Sequence, residues 1–210
     1  MPKIIGSSLE EHRERMHELI FSSLAALLRE RGYDTVTLAD VAAAAGIGRT
    51  AMYNYYPDKE TLLIAYTAHE TGIYVDELRA ELANEPNPVG QLRIFVRMQL
   101  NHLATQHIAP SSLSTILTDA GRKKMMEHIE PLWTLLRTII TEAQEQRYLP
   151  DEEVSVLLPL VTASIAGRST ADLSGERLDK AIEATTMYVL RGLGAQLSAD
   201  GQPRKLSLRK

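Results

Sequence analysis

The 210-residue chain contains no cysteine, which excludes a disulfide framework, a thiol nucleophile, an iron–sulfur cluster and a cysteine zinc site together. Any bound metal would have to be held by His, Asp and Glu alone. Aromatic residues are scarce, at 5% of the chain, with Trp133 the single tryptophan. Long apolar runs are missing as well. The longest strongly apolar stretch free of Asp, Glu, Lys and Arg, Val154 to Gly167, has 14 residues and is interrupted by Pro159, whereas a bilayer span needs about 20. Met1 to Leu9 holds one lysine and no apolar core, so it does not read as a signal peptide. No membrane partner is expected, and the expected location is the cytoplasm. With 44% apolar and 24% charged residues, the composition is globular rather than disordered or collagen-like.

An excess of positive charge is also lacking. Lys plus Arg number 23 against 27 Asp plus Glu, a net charge of −4, and that sum alone speaks against a nucleic-acid partner. The distribution reverses the reading locally. Val41 to Pro57 contains no carboxylate and one base, Arg49, so a phosphate backbone approaching there meets no like charge. The end of the chain, residues 198–210, carries Arg204, Lys205, Arg209 and Lys210 against Asp200, with Gly201, Pro203 and no apolar period. It is expected to be a flexible basic tail.

Apolar residues recur at helical spacing along nearly the whole chain, and no period-two run stands between turn residues. The fold class is therefore all-α. A first helix starts at Ser7 or Ser8, each with a glutamate three residues on, buries Met16, Leu19, Ile20, Leu24, Leu27 and Leu28, and stops at Gly32. Thr37 caps a second helix that Gly46 breaks. A third runs from about Arg49 to Tyr55 and ends before Pro57. Asp58 caps a fourth, Lys59 to about Ala83, with Leu62, Tyr66, His69 and Ile73 along one side. After the punctuated stretch Asn84 to Pro88, helices are expected from Val89 to Gln106, from Ser112 to Thr118 beyond a break at Pro110, and from Ala120 to Arg147 with a kink at Pro131. An Asp151-capped helix reaching Arg168 and a last helix from Glu176 to Leu197 complete the chain. Domains are expected at 1–58, a helix-turn-helix domain, and 59–197, a larger helical domain, with the tail after them.

The last two helices are apolar on more than one face. Val154, Leu158, Val161 and Ile165 form one stripe, while Leu157, Leu160 and Ser164 form another. A helix of that kind needs a partner inside the subunit and one outside it, so a homodimer is expected through a four-helix bundle, with Leu157, Leu160, Ser164, Ala181, Thr185 and Tyr188 at the interface.

Residues 37–59 carry the strongest functional signal. Leu38, Val41, Ala42 and Ala45 form an inward face whose alanines let a second helix cross closely, Gly46 supplies the left-handed turn, Ile47 fills the angle and Met52 anchors the following short helix from beneath. That leaves Arg49, Thr50, Ala51, Tyr53, Asn54 and Tyr55 outward. These are side chains suited to a groove of duplex DNA: a guanidinium for guanine or phosphate, a hydroxyl for phosphate, a methyl for thymine and an amide for adenine. Tyr56 reads as a core aromatic.

Other chemistries fit less well. Gly46-Ile47-Gly48-Arg49-Thr50-Ala51 matches G-x-G-x-x-A, with Glu70 about twenty residues on, but the dinucleotide fingerprint works only after a strand, and Ala39 to Ala45 is helix-forming. Glu14 and His17 make the single Glu-x-x-His pair, where a dimetal bundle wants two. His17-Glu18 and His69-Glu70 lack the second histidine of H-E-x-x-H, and His102 and His107 are too far round a helix to share a ligand. No catalytic residues, metal ligands or cofactor are assigned, and the chain does not read as an enzyme. An all-α metal enzyme and a helical protein-interaction module remain as alternatives.

The capped first helix, the motif at 37–59, its tyrosine-rich short helix and the lysine opening a long connecting helix resemble the TetR family of bacterial transcriptional regulators, over roughly Leu19 to Leu63. The resemblance implies that Thr37 caps its helix and touches a phosphate, that Tyr53 contacts the DNA backbone, and that Lys59 binds phosphate at the start of the fourth helix. Arg49, Thr50, Ala51, Asn54 and Tyr55 would face the operator. Departures from the family pattern, Gly48 for Ser, Thr50 for Gly and Tyr55-Tyr56 for His-Phe, bear on base preference. The resemblance further implies a small-molecule pocket among the later helices, whose filling moves the fourth helix and releases a palindromic operator. Candidate lining residues are Phe95, Gln99, His102, Ile116, Met125, Trp133, Arg137 and Thr162, with an inward Arg137 favouring an anionic effector.

Overall fold

The computed structural model describes residues 9–105, 116–166 and 173–207. Among these the chain forms eight helices and one two-stranded ribbon. Helix α1 (Leu9–Arg31) buries Met16, Ile20, Leu24, Leu27 and Leu28 as its spacing predicts. Leu19 departs from the expected stripe, being 41% exposed, while Phe21 is buried. At about 100° per residue, the buried positions fill one arc that takes in position 21 and leaves position 19 outside. The Ser7 and Ser8 caps lie outside the described residues. Gly32 ends α1 at φ 72°.

Helix α2 (Leu38–Ala44) is opened by a full capping box. Thr37 Oγ1 accepts from the Asp40 N–H at 3.2 Å, and the Asp40 carboxylate accepts from the Thr37 N–H at 2.9 Å. Gly46, at φ 67°, turns the chain into α3 (Arg49–Tyr55), and Asp58 caps α4 (Lys59–Ala83), accepting from the Thr61 N–H at 2.6 Å. Around Met52, which is fully buried, pack Ile20, Leu24, Leu28, Val36, Val41, Ala42, Tyr56 and Leu62. This N-terminal core thus borrows the first turn of α4.

Beyond that turn α4 changes the face it buries. Of the side expected from Leu62, Tyr66, His69 and Ile73, only Leu62 is buried and Ile73 is 48% exposed. Thr71, Tyr74, Val75, Leu78 and Leu82 are buried instead. The helix leaves one core and enters another, so a stripe extrapolated from its start does not hold along it. The second core joins α4 to α5 (Pro88–Thr105), α6 (Asp119–Glu145), α7 (Val154–Ala166) and α8 (Gly175–Gly192) through Leu92, Val96, Leu100, Leu136, Ile140 and Leu190, among others. Thr118 caps α6, and the helix continues through Pro131. Helix α7 begins later than an Asp151 cap requires, with Glu153 O accepting from the Val156 and Leu157 N–H groups. The Pro110 break, the expected helix from Ser112 up to Thr115 and the end of α7 toward Arg168 lie outside the described residues.

The chain's end departs furthest from expectation. Helix α8 stops at Gly192, not Leu197, because Gly194, at φ 83°, turns the chain against the Pro150 ring. Strands β1 (Gln196–Leu197) and β2 (Pro203–Arg204) then pair antiparallel. Residues 198–207 are therefore folded back rather than free: Arg93 Nη2 donates to Gly201 O at 2.9 Å, and the Leu206 N–H donates to Arg147 O at 2.7 Å. The glycine and proline read as marks of a loose tail are here the punctuation of a ribbon, with Gly201 at φ 80° in its turn.

Candidate nucleic-acid interface

The short helix α3 is held from beneath by Met52 and presents its other residues outward. Arg49, Thr50, Ala51 and Asn54 are exposed, as is Tyr53, at 56%. Its Gly48 N-cap offers no side-chain cap, so backbone N–H groups at its start stay open to an acceptor. Tyr55 differs from this set. It is half-buried, its ring meeting that of His17 edge-on with centroids 5.5 Å apart, so much of it faces α1. Tyr56 is buried and shares a 2.6 Å hydrogen bond with His17 Nδ1. Burial raises the Tyr56 pKa to about 12 and, with the nearby Arg13 and His69, lowers that of His17. His17 is thus a tether for the end of α3. Among the described residues no group of three His, Asp or Glu side chains is placed to hold a metal.

Thr37 stands exposed at the start of α2. Its side-chain and backbone hydrogen bonds to Asp40 hold that carboxyl below its ordinary pKa. Lys59 is half-buried: its ammonium donates to Tyr33 O at 2.9 Å and lies 4.0 Å from the Tyr33 ring centroid. It pins the α1–α2 connection to the first turn of α4.

The next residue, Glu60, reaches from α4 to the start of α6. Its Oε1 accepts from the Thr118 N–H at 2.8 Å and from Thr118 Oγ1 at 2.7 Å. Gly121 leaves room for that carboxylate, since a Cβ at position 121 would lie 1.9 Å from Glu60 Oε1. Sequence reading gave no sign of this clasp, because its partners are 58 residues apart.

Below it lies a cavity of about 200 Å³ lined by α4, α5, α6 and α7. Six of the eight expected residues line it: Phe95, Gln99, His102, Met125, Trp133 and Thr162. Two do not. Ile116 packs with Leu63, Ile64, Leu117 and Met125 in a small cluster nearer the first turn of α4, and Arg137 points to solvent, 3.9 Å from Glu130. The support Arg137 lent to an anionic effector goes with it. Missed were Thr67, Glu70, Thr71 and Tyr74 of α4; positions 67, 71 and 74 share one helical face, a polar stripe visible in the sequence. Tyr74 stacks on His102, ring centroids 4.1 Å apart.

On the far side, Leu157, Leu160, Ser164 and Tyr188 line an open groove between α7 and α8, with Leu160 61% and Tyr188 68% exposed. Ala181 and Thr185, expected beside them, are buried within the single chain, Thr185 Oγ1 donating to Ala181 O. No described helix is long and apolar enough to cross a membrane.

Residues 20–66 match the family described as bacterial regulatory proteins, tetR family. The transcriptional repressor LfrR of Mycolicibacterium smegmatis is 42% identical over 57 residues, 27% of this chain and 29% of that one, so the chain spans less than a third of that relative's length. The regulator FadR of Bacillus subtilis, solved with stearoyl-CoA, superposes with a TM-score of 0.72 at 17% identity, over 84% of this chain and 98% of that one. RolR, solved with resorcinol, gives a TM-score of 0.63 at 22% identity, over 89% and 91%. At such identities the likeness is one of fold.

Proposed function

We propose that the chain, whose residues 20–66 match the tetR family of bacterial regulatory proteins, is a dimeric DNA-binding transcriptional regulator, a repressor released from a palindromic operator when a small molecule fills the cavity. The observation that carries the DNA-binding part is the outward face of α3. Arg49, Thr50, Ala51, Tyr53 and Asn54 stand on a rigid base, in a stretch free of carboxylates. Arg49 and Asn54 read base edges, and Thr37, Tyr53 and Lys59 take phosphates. Lys59 exchanges its Tyr33 carbonyl for a phosphate oxygen, adding its charge at the positive end of α4.

Helix α4 supports the regulatory part. Its 25 residues extend about 37 Å at 1.5 Å per residue, with Lys59 at one end and Thr67, Thr71 and Tyr74 on the cavity wall. A guest that shifts that wall shifts the end of α4. Two recognition helices of a dimer must match successive major grooves about 34 Å apart, so a few ångströms of movement are enough to weaken binding. The exposed Leu160 and Tyr188 beside Leu157 and Ser164 suit α7 and α8 to pack on their counterparts in a second copy.

The test is duplex binding measured across ionic strength. Affinity should fall steeply with salt as condensed counterions are released, by a slope of about 0.9 per phosphate contacted. Lys59→Ala should lower that slope by about one for all sequences, while Arg49→Ala and Asn54→Ala should also blur sequence preference. Salt-independent binding would favour a protein-interaction module instead.

A further inference from the structure

The polar atoms around the cavity narrow what it takes. Among the described residues, four buried side-chain polar atoms have no hydrogen-bond partner, and three of them, Tyr74 Oη, Gln99 Oε1 and Trp133 Nε1, belong to cavity-lining residues. Tyr74 itself is only 5% exposed. Folded proteins leave few such atoms, because each has given up hydration for nothing. Three such atoms on residues lining one cavity, from α4, α5 and α6, indicate a guest that supplies their partners. The indole N–H can only donate, the amide oxygen can only accept and the phenol can do either. A hydroxyl group satisfies both the donor and the acceptor.

Charge removes anions. The described lining contains no Lys or Arg, and its one carboxylate is Glu70. Burial pushes the Tyr74 phenol up and the His102 imidazole down in pKa, the Glu77 carboxylate acting on His102 in the opposite sense. Both rings are therefore neutral near pH 7, and an anion entering would be desolvated with no cation among the described lining residues to meet it. Size and shape remove more. A cavity of 150 Å³ takes benzene, so about 200 Å³ takes one ring with small substituents and no long acyl chain. The stacked Tyr74–His102 pair, with Phe95 and Trp133, gives flat aromatic surface for such a ring.

We propose that the cavity binds a single-ring aromatic compound that carries no negative charge and bears one or two hydroxyl groups, which hydrogen-bonds to Tyr74, Gln99 and Trp133. This rests on the reading of the cavity as the effector site and names the effector's chemistry.

The experiment is calorimetric titration of the full-length protein with phenol, 4-methylphenol and 1,2-dihydroxybenzene, against toluene, benzoate, benzylamine and stearate. Because Trp133 is the only tryptophan, intrinsic fluorescence locates binding at the cavity. At least one hydroxylated probe should bind saturably, alter that fluorescence and exceed toluene by about ten-fold, the worth of one such hydrogen bond. Tyr74→Phe and Gln99→Leu, checked for native circular dichroism, should each lower its affinity by a similar factor without weakening the binding of toluene. Tighter binding of benzoate, benzylamine or stearate, no saturable binding by any hydroxylated probe, or affinity indifferent to both substitutions would overturn the proposal. Duplex binding without any probe is measured in parallel. If it persists while the hydroxylated probes fail, the effector chemistry alone is wrong; if it is absent, the regulator reading fails whatever the cavity binds.

Discussion

The Glu60 clasp makes a prediction whose sign depends on a second residue. In isolation, Gly121→Ala in the first turn of α6 should stabilise the protein by about 0.5–1 kcal/mol, the usual helical advantage of alanine over glycine. Here the new methyl falls 1.9 Å from Glu60 Oε1 and 3.3 Å from Ile64 Cδ1. The carboxylate, at the end of a flexible side chain, swings away and loses both hydrogen bonds to Thr118. Bonds to a charged acceptor are worth roughly 1.5–3 kcal/mol each; solvent screening of the partly exposed Glu60 brings each below that range, to about 1 kcal/mol, or about 2 kcal/mol for the pair. Gly121→Ala should therefore destabilise the otherwise unaltered protein by about 1 kcal/mol. Glu60→Ala should cost about 2 kcal/mol, and adding Gly121→Ala to it should recover up to 1 kcal/mol, since the obstructing carboxylate is gone. Urea unfolding of the four proteins at one concentration gives the cycle, and the coupling is the difference between the two Gly121→Ala steps. Equal effects of Gly121→Ala in both backgrounds would refute the argument that Gly121 exists to admit Glu60. If the clasp also joins the cavity helices to the Lys59 end of α4, Glu60→Ala should retain duplex binding while responding less to an effector.

Three further predictions address separate features. Thr37→Ala removes the capping box of α2 and should lower stability by about 1 kcal/mol, and duplex affinity besides, measured by urea unfolding and fluorescence anisotropy. Met52→Ala empties the centre of the N-terminal core, where Met52 is 0% exposed, and should cost about 2–5 kcal/mol, with hydrogen exchange rising across α1 to α3 first. Burial lowers the pKa of His17 and of His102 from 6.5, so the unfolded chain binds protons before the folded one does. Stability should therefore fall as pH drops below about 6.5, and replacing both histidines by glutamine should flatten the urea midpoint between pH 7.5 and 5.5.

The helix-turn-helix was legible in the sequence because its determinants are local. Thr37 and Asp40 are three residues apart, Gly46 and Pro57 mark breaks through their own backbone preferences, and Met52 is the one apolar residue of α3 that must turn inward. The cavity was partly legible: Phe95, Gln99, His102, Met125 and Trp133 sit on inward faces of helices with clear periods. What failed depends on which neighbour a face meets. Arg137 and Ile116 lie on the same helices or connections as true lining residues, and only the crossing of α4 over α6 decides that the wall takes Tyr74 and Thr71 instead. Ile73 and Leu19 show the same limit, since apolar spacing gives a stripe but not where a helix passes from one core to the next. The terminal ribbon was missed because Gly201 and Pro203 serve equally in a loose tail and a tight turn, and its anchors, Arg93 and Arg147, are remote in sequence.

The central claim is that the α3 surface reads a specific duplex as a symmetric pair. The most direct test is repeated selection from a randomised duplex library by the full-length protein with excess nonspecific competitor, followed by sequencing of the retained fragments. The retained fragments should share an inverted repeat with half-sites about one helical turn apart, lost on Arg49→Ala with Asn54→Ala in a protein that still unfolds cooperatively. Retention of no sequence above background by a folded protein, or of a repeat indifferent to those substitutions, would contradict it.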